Sequence, residues 1–187
     1  IEPTRLPAST RIVGLTVNPG STSSFFDQVA ERGAAPVDMA AFMEEINREF
    51  VHHHAPQFRR MLAELLALGD GGFMINCAAG KDRTGFGAAM ILAALGIAED
   101  DIVADYLLSD RYFPIDREME RVLRKYGAEA GGRMNPALVR PMMETRREYI
   151  AAALEAIRPD YGSLERFLAE ALGVGPAGRR ELRERFT

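Results

Sequence analysis

The stretch Asn76-Cys77-Ala78-Ala79-Gly80-Lys81-Asp82-Arg83-Thr84-Gly85 decides how this chain is read. It follows Phe73-Met74-Ile75, an apolar run of strand length set off by Gly69-Asp70-Gly71-Gly72. It leads into a helical pattern over Arg83 to Leu95, with Gly96 placed as a C-terminal cap. A loop that enters a helix presents unpaired backbone N–H groups, and such groups bind anions. Gly80 permits the tight curvature a cradle needs. Residues 77 to 83 are enough to wrap one phosphoryl group. The nucleotide-binding pattern G-x-x-x-x-G-K-[ST] is not met, because Gly80-Lys81 is followed by Asp82.

Within this loop each residue type has a chemical use. A free thiol ionises near about pH 8.5, so it is a weak nucleophile at neutral pH. Helix-terminal N–H groups and a nearby guanidinium lower that value and ready Cys77 for attack. Arg83 offers a planar fork that binds two phosphate oxygens and follows charge as a transition state forms. Thr84 can give a hydroxyl hydrogen bond to the thiolate. Ala78, Ala79, Gly80, Lys81, Thr84 and Gly85 are the expected substrate-binding positions around the nucleophile. The bland reading of a lone cysteine is a small buried hydrophobe. These neighbours reverse it.

Outward from the loop, Arg11-Ile12-Val13-Gly14-Leu15-Thr16-Val17 reads as a second short strand, closed by Asn18-Pro19-Gly20. Ser21 to Pro36 reads as a loop. Met39, Phe42, Met43, Ile46 and Phe50 recur at helical spacing after a capping Asp38. A second helix runs from Pro56 to about Leu68. Helices are also expected over Glu99 to Ser109, Asp116 to Tyr126, Ser163 to Leu172 and Pro176 to Phe186. One long helix is expected from Pro136 to about Ile157, with Pro141 as a complication. Gly127 to Arg133 is glycine-rich. Two strands are few for an α/β domain. With a first residue other than Met, this predicts that strands preceding Ile1 are missing.

The 187 residues suit one domain with one core. Net charge is −4, which argues against a nucleic-acid surface, so an anionic substrate must be drawn by a local positive site. One cysteine excludes an internal disulfide and a multi-cysteine zinc site. No apolar run reaches membrane-spanning length and no signal peptide is visible, so integral membrane contact is not expected, and cytoplasmic and secreted locations both stay open. His52-His53-His54 points three imidazoles to different helix faces, which suits a solvated helix end before Pro56 better than a metal site. The loop chemistry calls for no metal and no cofactor.

Cys-x5-Arg followed by Thr is the signature of protein tyrosine phosphatases and their relatives. Cys77 to Phe86 resembles more closely the atypical bacterial tyrosine and lipid phosphatases of the mycobacterial B type. Asp105-Tyr106-Leu107-Leu108-Ser109 and Tyr161-Gly162-Ser163-Leu164 resemble the same group, and the likeness runs from Ile12 to Leu182. It implies an α/β fold: a tyrosine-phosphatase-like parallel or mixed sheet flanked by helices, with a helix-rich C-terminal half. It implies Cys77 as nucleophile and Arg83 as phosphate ligand. Lys81 would add positive charge at the rim, which suits a substrate with a second phosphate. Asp82 would be the general acid; the competing reading is that it orients Arg83 by a salt bridge. The segment from about Tyr106 to Met143, which carries Tyr112, Phe113, Met119, Met134, Met142 and Met143, is a candidate lid, against ordinary helix packing. Arg111, Arg117, Arg133 and Arg140 are candidate contacts to further phosphates.

One departure stands out. The group usually has His before the cysteine, and this chain has Asn76. Expected substrates are phosphotyrosine, phosphoserine or phosphothreonine in a protein, or a phosphoinositide. The rival reading is a weakly active or inactive module that binds phospho-ligands. Sulfur transfer and arsenate reduction fit less well, since a single cysteine cannot run a reductive relay.

Overall fold

The computed structural model describes residues 6–18, 36–129 and 135–187, and the side chains of all of these except 36–38 and 125–129. The proposed turn and loop from Pro19 to Ala35, Met134 and Arg133 lie outside the described residues, as does the side chain of Asp38.

Ten helices are described. They are α1 (Pro36–His52), α2 (Ala55–Leu66), α3 (Asp82–Leu95), α4 (Glu99–Leu107), α5 (Ser109–Tyr112), α6 (Ile115–Glu129), α7 (Pro136–Met143), α8 (Arg147–Tyr161), α9 (Leu164–Glu170) and α10 (Pro176–Phe186). Helix α3 sits among α1, α2, α4, α9 and α10, and α1 lies across α7 and α8. The sequence of α3 explains its place. Phe86, Ala89, Met90, Ala93 and Ala94 are buried, and small residues let neighbouring helices come close. Gly96 ends it in the left-handed region, at φ 90°, as a C-cap glycine does.

Three rings lock the helices that carry the loop. Phe86 of α3 lies 4.7 Å from Phe58 of α2 and 5.5 Å from Phe50 of α1, centroid to centroid. The Phe58 and Phe86 rings meet edge to face, the favoured geometry for an aromatic pair.

The two expected strands have no regular secondary structure and form no β-ladder among the described residues. Their side chains alternate as strands require. Val13, Leu15 and Val17 face inward while Ile12 is 73% exposed. Phe73 and Ile75 face inward while Met74 is 65% exposed. The pattern is right, but a strand also needs a hydrogen-bonded neighbour, and none is described.

The expected single helix from Pro136 to Ile157 is two helices. Glu144 and Arg146 are extended. The N–H of Thr145 donates to Asp110 Oδ1 at 2.5 Å, and the carbonyl of Glu144 accepts from Lys81 Nζ at 2.9 Å. Tertiary partners take the backbone groups that would have continued the helix. Pro141 stays inside α7, and its carbonyl accepts from Tyr149 Oη at 2.9 Å.

Candidate active site

Residues 77–81 form an irregular turn between the apolar run and α3, with Gly80 at φ 68°. Ala78, Ala79 and Gly80 are exposed along its rim. Cys77 is half-buried. Burial is the largest influence on its thiol and opposes ionisation. Hydrogen bonding from the Thr84 hydroxyl and from the N–H groups of Thr84, Lys81 and Ala79 outweighs it. The thiol therefore ionises below its ordinary value. Thr84 Oγ1 is buried and no other group among the described residues takes its hydroxyl, so nothing competes with the sulfur for that proton.

Arg83 is half-buried in the first turn of α3. Its Nη1 donates to the carbonyl of Val17 at 3.2 Å. The run that ends at Val17 thus anchors the Arg83 guanidinium. That contact spans 66 positions of sequence, and no motif announces it.

Lys81 is placed differently from the sequence expectation. It is 2% exposed, and its ammonium donates to Asp82 Oδ1 at 2.8 Å and to the Glu144 carbonyl at 2.9 Å. It also lies 6.0 Å from the centre of the Tyr149 ring. A buried ammonium with these partners is not a free cation at the rim. Asp82 likewise pairs with Lys81, and its Oδ1 faces Tyr106 Oη at 3.5 Å. The salt bridge from Asp82 to Arg83 is not formed among the described residues. Gly85 is not a rim residue either. Its N–H donates to the Lys81 carbonyl at 2.6 Å, and a Cβ there would stand 2.6 Å from the Tyr106 ring. Packing, not ligand contact, accounts for that glycine. Asn76 is exposed.

A cleft of about 410 Å³ opens beside the loop, lined by Ala79, Gly80, Lys81, Asp105, Leu108, Ser109, Tyr112 and Phe113. Helices α4 and α5 and the residue after them supply its far wall. Tyr112, 75% exposed, and Phe113 give it aromatic surface. From the proposed lid, Tyr112 and Phe113 reach this cleft, while Met142 packs against the core. Arg140 pairs with Glu144 at 2.6 Å, and Arg111 lies 5.8 Å from the Tyr112 ring centre. Sequence reasoning missed Asp105, Glu144 and the two buried tyrosines. The likeness of Asp105 to Ser109 to the phosphatase group was the one signal that pointed there.

A family model described as the tyrosine phosphatase family matches residues 2–187. The chain belongs to the tyrosine phosphatase family. Three relatives accompany that match. A Cupriavidus necator protein, provisionally named a tyrosine-protein phosphatase, is 36% identical over 151 residues, 80% of this chain and 52% of that protein. The triple specificity protein phosphatase PtpB of Mycobacterium tuberculosis is 32% identical over 185 residues, 95% of this chain and 65% of that protein. A tyrosine-protein phosphatase of Nostoc commune is 29% identical over 155 residues, 79% of this chain and 51% of that protein. The chain thus spans between half and two thirds of the length of these relatives. Among the described residues, no helix is long and apolar enough to cross a membrane.

Proposed function

We propose that this chain carries the catalytic site of a phosphatase that hydrolyses phosphotyrosine or related phosphomonoesters through a cysteinyl-phosphate intermediate. What carries the reading is Cys77 in its loop: the N–H groups of Ala79, Lys81 and Thr84 and the Thr84 hydroxyl lower its thiol below the ordinary value against the opposing effect of burial. The thiolate attacks phosphorus in line, forming the S–P bond as the P–O bond to the leaving group breaks. Arg83 binds the equatorial oxygens, and a carboxylic acid protonates the leaving oxygen. Water then attacks the intermediate, releasing phosphate and the thiolate. Nothing in the sequence calls for a metal or a cofactor.

The aromatic wall of Tyr112 and Phe113 suits the ring of an aryl phosphate. Lys81, buried against Asp82 and Glu144, gives no support to recognition of a second phosphate, so phosphoinositides rank behind phosphotyrosine, and the aromatic wall ranks an aryl ester ahead of phosphoserine or phosphothreonine. Of the candidate lid, Leu108, Ser109, Tyr112 and Phe113 serve in this reading as a wall of the cleft. The runs at 11–17 and 73–77 serve as strands of the family's sheet, which their alternation supports. Cys77→Ser should abolish release of phosphate from an aryl phosphate while the far-UV circular dichroism stays unchanged. Turnover that survives the substitution refutes the mechanism. A wild-type chain that binds phosphotyrosine peptide without turning it over points instead to the phospho-ligand-binding module, with Asn76 as its mark.

A further inference from the structure

The cysteine mechanism needs a proton donor for the leaving oxygen, and the loop's own acid is poorly placed to be it. To act, Asp82 must carry a proton. Its Oδ1 accepts from the ammonium of Lys81, which is itself 2% exposed. Protonating Asp82 strips a buried cation of its counter-charge and leaves it facing only the Glu144 carbonyl and the Tyr149 ring. Tyr106 Oη, 3.5 Å away, is also arranged to donate to a carboxylate.

The other acids nearby are engaged as well. Asp110 Oδ1 accepts from the N–H of Thr145 at 2.5 Å. Glu144 is held by Arg140 at 2.6 Å and Arg146 at 2.7 Å, and those guanidinium groups keep its carboxyl below the ordinary range, against the opposing effect of burial. Asp105 differs from all three. It is exposed, and its carboxylate has no ion pair or hydrogen bond among the described residues. It lines the cleft that Ala79, Gly80 and Lys81 of the loop also line, so its carboxylate opens onto the same space as the loop. Leu108, Tyr112 and Phe113 complete that wall. A substrate ring against them excludes water, and loss of water favours the neutral form of a carboxyl group.

We propose that Asp105 is the general acid of this site, and that Asp82 is a positioning residue engaged by the Lys81 ammonium. The inference rests on the cysteine mechanism proposed above. As the S–P bond forms and the P–O bond breaks, the Asp105 carboxyl gives its proton to the departing oxygen. The resulting carboxylate then takes a proton from the water that attacks the cysteinyl phosphate, and the cycle closes with the acid restored.

Leaving-group dependence tests this. The full chain, Asp105→Asn, Asp82→Asn and Cys77→Ser are compared on phenyl phosphate, whose leaving group needs a proton, and on 2,4-dinitrophenyl phosphate, whose leaving group does not. The readout is kcat/KM, which reports the step that breaks the ester. Asp105→Asn should lower it about 100-fold for phenyl phosphate and less than about threefold for the dinitrophenyl ester. Asp82→Asn should lower both by the same factor. Because Asp105 is exposed, its substitution should leave the thermal midpoint unchanged. Equal loss on both esters in Asp105→Asn, no loss on either, or leaving-group dependence in Asp82→Asn overturns the assignment while the cysteine mechanism stands. Turnover by Cys77→Ser removes the mechanism and the role of Asp105 together.

Discussion

At the scale of single residues the account turns on hydrogen bonds to one sulfur. The N–H and the hydroxyl of Thr84 both favour the Cys77 thiolate, and no other group among the described residues takes that hydroxyl. Thr84→Val keeps the shape and removes the hydroxyl. A hydrogen bond to a charged group is worth about 1.5 kcal/mol, so the midpoint for alkylation of Cys77 by iodoacetamide should rise by about one pH unit. The sign follows from the thiol being depressed in the folded chain. Stabilisation by the thiolate is fully present above the ordinary thiol range and is lost as pH falls through the lowered folded value. An unmoved midpoint in Thr84→Val would exclude the hydroxyl from thiolate support. Arg83→Lys keeps the charge but loses the fork, and should reduce kcat/KM on aryl phosphates by about 100-fold with little change in stability. The proposed cradle could be named from the sequence because its residues are consecutive. The setting of Lys81 could not, because its partners Glu144 and Tyr149 are distant in the chain and nothing in the loop says which way its side chain turns.

At the scale of elements, α3 was readable at its C-terminal end, where only Gly96 suits φ 90°. The break between α7 and α8 was not. Periodicity and a proline suggested one long helix, and the interruption comes from Asp110 and Lys81, which compete for backbone groups at Thr145 and Glu144. Lys81 is therefore a strut between the cradle and that junction. Lys81→Met should cost about 3 kcal/mol in urea denaturation, since it leaves the carboxylate of Asp82 and the Glu144 carbonyl without their cation. A loss below about 0.5 kcal/mol, the size of an ordinary surface change, would contradict the strut. Gly85→Ala tests the contact of α3 with α4. Helix propensity favours alanine by about 1 kcal/mol, yet its Cβ would meet the buried Tyr106 ring at 2.6 Å, so the net effect should be a lower thermal midpoint.

At the scale of the whole molecule, the helices hold the cradle through one core. Phe50, Phe58 and Phe86 join α1, α2 and α3, and Phe86 lies a single turn after Arg83. Phe86→Ala should destabilise the chain by about 4 kcal/mol and should lose activity in step with unfolding. The helical core was legible from apolar spacing. The expected sheet rests on two alternating runs alone, and no ladder joins them among the described residues, because a ladder depends on a neighbouring strand that no local pattern specifies. The net charge of −4 leaves attraction of an anionic substrate to the loop itself. The central claim is that Cys77 becomes phosphorylated during turnover. The most direct measurement is acid quenching of the full chain within its first turnovers of phenyl phosphate, followed by mass spectrometry of the peptide that carries Cys77. The account predicts a phosphoryl adduct on Cys77 that vanishes in Cys77→Ser. Turnover with no adduct on that peptide, or with an adduct on another residue, would contradict it.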